Sequence, residues 1–359
     1  MMKLFGKGLI GKMKRCVWFL GLVLSVAGVV FSIAVIQIEK DYRHIPSQHL
    51  IGNRAVSVQG LNEKGFPFSF LVISDTHNDE NAYTLLKEMV RGSDASFLIH
   101  VGDAVNPPNI WMHRYFIKRM IDDIKPPFPV FLAPGNHDID YGFQKVPEDR
   151  KVSAEVYQNL YGAMRFDFTY NNCLFILCGV DLRKPGEFVD DLGSVLSKKA
   201  AGKKHIFVFL HYPPRAVISG FDFPREQEFL SLLKTYKVTS CFFGHYHGYH
   251  RDQIDGTNMI VLGGGGGSLK SWQSNWGKFH HGLKITVGED TLAEDIMALR
   301  KEVFFHHSMD WGIVVYILPL VQNWVWMVYV ALFLFSCCAV LSLWVTLRRT
   351  ARPTKVLKG

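Results

Sequence analysis

Two long uncharged apolar runs bracket the chain, and between them short apolar runs alternate with amphipathic stretches. Residues 17–38 carry no charge over 22 positions. At ~1.5 Å per residue that is enough to cross a ~30 Å hydrocarbon core. No Ala-x-Ala signal follows at Gln37-Ile38-Glu39-Lys40, so an uncleaved anchor is expected rather than a signal peptide. Residues 312–347 form a second charge-free run. Pro319 is expected to divide it, leaving 321–347 as the crossing helix with Trp324 and Trp326 at one interface and Trp344 near the other. The residues before Pro319 are expected along the membrane surface, with a two-span hairpin as the alternative.

Between these runs the pattern is that of an α/β domain. Strands are predicted at 68–74, 97–101, 129–133, 174–180, 206–210 and 238–243, and helices at 80–91, 110–124 and 226–236. Later stretches at 258–262, 283–287 and 292–299 read as antiparallel strands around Gly/Asp turns. Residues 40–67 read as a linker and lead-in, and there is no internal repeat.

The net charge of +8 changes the picture only at the ends. Lys3, Lys7, Lys12, Lys14 and Arg15 precede the first apolar run, and Arg348, Arg349, Arg352, Lys355 and Lys358 follow the second. Residues 40–310 hold 30 basic and 31 acidic side chains, which is no nucleic-acid footprint. The flanking cations instead place both tails in the cytoplasm and the domain on the other face of the membrane. Six cysteines form no disulfide framework, and Cys173, Cys178 and Cys241 fall on strand-like runs where they serve as small buried hydrophobes. No Asn-x-Ser/Thr sequon occurs, which favours a bacterial periplasm over an organelle lumen.

Candidate chemistry sits just after the predicted strands: Asp75-Thr76-His77, Gly102-Asp103, Gly135-Asn136-His137-Asp138, His211 and Gly244-His245-Tyr246-His247. Loops at the carboxyl ends of strands converge at the edge of an α/β sheet, so distant motifs can form one site. The set supplies imidazole, carboxylate and carboxamide donors without thiolate, suited to Mn, Fe, Zn, Co or Ni.

With these five motifs in this order, the sequence resembles the calcineurin-like metallophosphoesterase superfamily over about 68–300, most closely its single-domain bacterial phosphohydrolase and cyclic-nucleotide phosphodiesterase branch. The resemblance implies a layered α/β sandwich, two mixed sheets flanked by helices, here with a transmembrane helix at each end. It implies a pair of divalent ions, manganese first among them: Asp75, His77 and His247 on one, Asn136, His211 and His245 on the other, Asp103 bridging. A hydroxide between the ions would be the nucleophile. His137 would not bind metal but face the phosphate, as a charge stabiliser or acid. Several relatives carry an Asp that holds this His where the present chain has Asn106, a neutral amide that cannot raise its pKa by charge. Asp138 is either an orienting partner or a loop cap.

Other features carry weaker expectations. Gly263 to Gly267, followed by Ser268, lacks the Lys-Ser/Thr of a phosphate loop, so close backbone approach beside the metals is the expected reason for it. His280 and His281 could line a pocket rim, His100 reads as a core residue, and Arg215 could reach a substrate phosphate. The expected organisation is a basic tail (1–16), a span (17–38), a linker (39–67), the phosphoesterase domain (68–300), a juxtamembrane segment (301–320), a span (321–347) and a basic tail (348–359). The expected function is hydrolysis of phosphate mono- or diesters, with lipid-linked phosphates favoured by membrane anchoring. Soluble nucleotides, and a non-catalytic phosphate-binding receptor or scaffold, are the alternatives.

Overall fold

A computed structural model of the chain describes residues 2–45, 50–218, 222–270, 276–303 and 309–350. These fall into two compact units, one holding residues 1–44 and 308–359 and the other 45–307.

The larger unit is built on two mixed sheets. The first contains β1 (Phe68–Ile73), β2 (Leu98–His100), β3 (Val130–Leu132), β10 (His281–Val287) and β11 (Leu292–Ala298), in the order β11-β10-β1-β2-β3. β1, β2 and β3 are parallel, and β10 and β11 add antiparallel to the β1 side. The second contains β4 (Arg165–Tyr170), β5 (Cys173–Cys178), β6 (His205–Phe209), β7 (Ser240–Phe243), β8 (Tyr249–Ile254) and β9 (Thr257–Leu262), in the order β4-β5-β6-β7-β9-β8. Four central strands run parallel, with β4 and β8 as antiparallel edges. The expected antiparallel strand at 258–262 therefore pairs parallel with β7 on one side and antiparallel only with β8.

Period-two alternation places Phe70, Phe97, Phe131, Phe175, Phe207, Phe209 and Phe242 in one core shared by both sheets. The rings meet edge-on, as Phe70 and Phe175 do at 5.3 Å, or stacked, as Phe209 and Phe242 do at 4.9 Å. The intervening positions of the second sheet, such as Leu174, Val208 and Cys241, pack with Phe188, Leu192 and Phe229 of the helices Glu187–Lys199 and Glu226–Thr235. Helices Glu80–Val90 and Ile110–Arg119 flank the first sheet's connections, and asparagine or aspartate side chains cap both. The predicted helix at 110–124 widens into a π turn over Met120–Ile124 and ends at Lys125, whose φ is positive. Two helices, Ala154–Tyr161 and Glu187–Lys199, and the edge strands β4 and β8 were not expected from the sequence pattern.

In the smaller unit one helix runs continuously from Met2 to Arg43 and another covers Val325–Thr350. Their segments Cys16–Arg43 (28 residues) and Val325–Arg348 (24 residues) are long and apolar enough to cross a membrane. They pack through small residues: Gly21 faces Ser342, and Gly28 lies against the ring of Phe335. Residues Met309–Val321 are helical, and the break before the second long helix comes at Gln322 to Trp324, not at Pro319. Pro319 lies within this helical run, directly after the π turn Ile313–Ile317 and at the start of the short helix Leu318–Val321. The last nine residues of the expected C-terminal tail, with Arg352, Lys355 and Lys358, and part of the juxtamembrane segment, 304–308, lie outside the described residues.

Candidate metal centre

Every expected ligand follows a strand at one edge: Asp75 and His77 after β1, Asp103 after β2, Asn136 after β3, His211 after β6, His245 and His247 after β7. Both sheets thus present their carboxyl ends to the same place. Three overlapping groups form there: Asp75 with His77 and His247, His77 with Asp103 and His137, and Asp103 with His211 and His245, ligand atoms within 4.8 Å in each. Asn136 joins through Oδ1, 3.0 Å from Nδ1 of His245.

The backbone is bent to make this possible. Asp75, His77, Asp103, His245 and His247 all have φ between 48° and 71°, where side chains other than glycine are strained. Such strain persists only where neighbours hold it. Gly135 and Gly244 permit close approaches to the ligands: a Cβ on Gly135 would lie 2.6 Å from the Asp103 backbone nitrogen and closer still to its carboxylate, and one on Gly244 would lie 2.5 Å from Asp75 Oδ2.

Carbonyls fix the orientation of two rings. Nδ1 of His211 meets Val101 O at 2.8 Å, and Nδ1 of His247 meets Ser268 O at 2.9 Å, so each points Nε2 inward. Those inward atoms lie 3.2 Å from Asp103 Oδ2 and 3.4 Å from Asp75 Oδ1 respectively. Nε2 of His77 and of His211 are buried without a hydrogen-bond partner. Buried imidazole nitrogens that face buried carboxylates without a hydrogen bond are what a cation would satisfy, so the donor set fits divalent metal.

The same groups are strongly coupled by charge. Burial alone would raise the Asp103 carboxyl, but His211, His77 and His137 outweigh it and hold it well below the ordinary carboxylate range. Asp75 is likewise buried yet lowered, by His211 and His247. Burial opposes charge on His211, but Asp103 and Asp75 push it up to about 10. Burial and the His211 charge push His245 down to about 4.

His137 is bound on two sides. Its backbone N–H donates to Asp103 Oδ1 at 2.7 Å, and its ring Nδ1 pairs with Gln144 Nε2 at 2.7 Å, leaving Nε2 4.0 Å from Asp103 Oδ2. Asn106, the expected holder of His137, instead turns its amide toward Nδ1 of His77 at 3.5 Å. Gln144 was not singled out in the sequence: a loop glutamine has no motif spacing to mark it. Asp138 accepts backbone N–H groups from Asp103, Ala104, Val105 and Gly135 at 2.8 to 3.3 Å, so it ties the loops after β2 and β3 together. Burial and the charge of Asp103 push its carboxyl up to about 7, against the N–H groups that favour the anion.

Arg215 pairs with Asp222 at the surface. The glycine loop is packed rather than open: Gly265 N–H donates to Ser74 O, and those of Gly266 and Gly267 to Asp75 O. His280 Nδ1 braces the same loop through Gly264 O at 3.1 Å, and His281 is fully buried behind it. His100 sits in the interior against Thr76 Oγ1 at 3.0 Å, and burial pushes it down to about 3.

Residues 68–249, half of the chain, match the family model of the calcineurin-like phosphoesterases. The chain belongs to that family. Among solved structures, the chain is similar in fold to a purple acid phosphatase, PPD1, from yellow lupin (Lupinus luteus) seeds, with 17% identity and a TM-score of 0.51 over 65% of this chain and 52% of that one. It spans about half the length of the lupin protein. Also similar are GAP50, the anchor in the inner membrane complex of Plasmodium (15% identity, TM-score 0.43, 74% of this chain and 95% of that), and a putative 5'-nucleotidase from Staphylococcus aureus (14%, 0.42, 72% and 58%). At these identities the likeness concerns the fold alone. No curated protein sequence matches the chain.

Proposed function

We propose that the protein is a membrane-anchored phosphoester hydrolase that works with two divalent metal ions, manganese being the first to supply. The observation that carries this is the overlap of the three ligand groups, in which Asp103 belongs to two and so can bridge neighbouring cations. Asp75, His77 and His247 would hold one ion, Asn136, His211 and His245 the other. Two bound cations would supply the charge that polarises a phosphate ester and acidifies water. Asp103 keeps its anionic form in the interior and offsets their mutual repulsion. His137, 27% exposed at its side chain, offers its ring to a phosphoryl or leaving oxygen. Asp138 keeps the loops carrying Asp103 and Asn136 in register.

We infer that both apolar helices cross a bilayer. Supporting this, they turn large apolar side chains outward, among them Val17 and Phe19 on the first, Phe333 and Val340 on the second. The cationic flanks of both support termini in the cytoplasm and a 68–300 domain outside it, in a bacterial periplasm. Tethering at two points favours a phosphate ester carried by lipid as substrate.

The test is hydrolysis of bis-p-nitrophenyl phosphate and p-nitrophenyl phosphate by the full chain in detergent, chelated and then given Mn²⁺. Metal-restored cleavage of either is expected, the diester marking a phosphodiesterase and the monoester a phosphatase. No cleavage of either with metal bound would contradict hydrolysis and leave the receptor reading. Equal rates on micellar and soluble esters would contradict the lipid preference in favour of soluble nucleotides.

A further inference from the structure

We propose that Gln144 is the positioning residue of His137, fixing the ring's tautomer so that its proton sits on Nε2 and faces the metal centre. The inference rests on the hydrolase reading for its purpose, but its geometry stands apart from it.

Among the described residues, one hydrogen bond to the His137 ring can set its tautomer. Its Nδ1 lies 2.7 Å from Gln144 Nε2, and the same amide nitrogen is 3.4 Å from Asn136 O. A carbonyl can only accept, so the group facing Asn136 is the NH₂, and the NH₂ donates to Nδ1 as well. Nδ1 is then the ring's lone-pair nitrogen, and a neutral His137 carries its hydrogen on Nε2. That nitrogen is the inward one, 4.0 Å from Asp103 Oδ2. The backbone bond from His137 to Asp103 Oδ1 fixes the Cα, so ring and main chain are both pinned. A neutral imidazole held this way donates a hydrogen bond to an oxygen entering the centre without having to be charged.

Position 106 supplies the contrast. A carboxylate against Nδ1 would accept from it and favour a charged ring, whereas Asn106 lies beside His77 and leaves Nδ1 of His137 to a donor.

The experiment is ¹⁵N NMR of the full chain in detergent micelles with labelled histidine, at alkaline pH where the ring is neutral, with the His137 signals assigned by their loss in His137→Gln. Wild type should show a pyridine-like shift at Nδ1 and a pyrrole-like shift at Nε2. Gln144→Leu should give the averaged shifts of a mobile tautomer mixture, and Gln144→Glu, which can only accept, should move the hydrogen to Nδ1. A wild-type ring protonated on Nδ1, or shifts that ignore both substitutions, would overturn the proposal. These shifts can be read without metal or substrate, so they stand whether or not hydrolysis is found. Where hydrolysis is found, Gln144→Leu should lower kcat by about tenfold or more at unchanged KM. A raised KM at unchanged kcat would make Gln144 a substrate contact and overturn its positioning role.

Discussion

The backbone N–H of His137 donates to Oδ1 of Asp103 at 2.7 Å, so the carboxylate proposed to bridge two metals also holds the loop that carries the proposed acid. One side chain therefore couples the loops after β2 and β3, and Gly135 is what lets them approach. Gly135→Ala should push Asp103 out of place, and Gly244→Ala should do the same to Asp75. Each is expected to weaken metal binding about 10- to 100-fold, the usual effect of disturbing groups that orient ligands. Metal titration of the purified variants checks this; wild-type affinity in both would count against the geometry.

Asp138 carries the same coupling through four backbone donors. Asp138→Ala strands those buried N–H groups, at about 1–3 kcal/mol for an unmade buried partner. The summed loss is expected to be about 3 kcal/mol or more, with Asp138→Asn, which keeps one oxygen acceptor, losing less. Thermal unfolding of the full chain in detergent measures both. An unchanged midpoint in Asp138→Ala would show that the loops hold without it.

His113 makes stability depend on pH. It is fully buried, with Nε2 on Asp138 O and Nδ1 on Tyr161 OH, each at 2.9 Å. Burial pushes it down to about 3 from an ordinary 6.5, with the Asp138 carbonyl opposing. The unfolded chain therefore takes up this proton first. Its contribution is whole above about pH 6.5 and is lost as pH falls toward 3, by up to about 1.4 kcal/mol per unit. His113→Gln should be less stable at neutral pH but lose less on acidification, by one proton's worth of slope. Parallel slopes in the two proteins would contradict this.

The two apolar helices supply a prediction within their own unit. Cysteines at Gly21 and Ser342, with native cysteines replaced, should cross-link readily, because a Cβ at 21 would lie 3.7 Å from the Ser342 oxygen. Gly28→Leu should abolish that cross-link by colliding with Phe335. Cross-linking that persists would mean the helices do not meet through this face.

The strands that carry the proposed ligands were legible in the sequence because their central positions are buried on both faces and read as unbroken apolar runs. β4 and β8 were not: they are the edges of the six-stranded sheet, and strings such as Arg165-Phe166-Asp167 and His250-Arg251-Asp252 look like loop. Ligand residues announce themselves by type and by position after a strand. Most of their holders do not, since Val101 O and Ser268 O are backbone atoms and Gln144 acts by where its loop folds, whereas Asp138 stands in the Gly-Asn-His-Asp motif. Asn106 shows the limit of resemblance: matched by position to a holder of His137, it lies beside His77 instead.

The most direct test of the central claim is metal content by elemental analysis of the full chain after reconstitution, measured alongside phosphate-ester hydrolysis. The account predicts two ions per chain in the wild type, and fewer ions with loss of hydrolysis in Asp103→Asn. Hydrolysis that survives complete removal of metal, or an Asp103→Asn protein that keeps both ions and full activity, would contradict it.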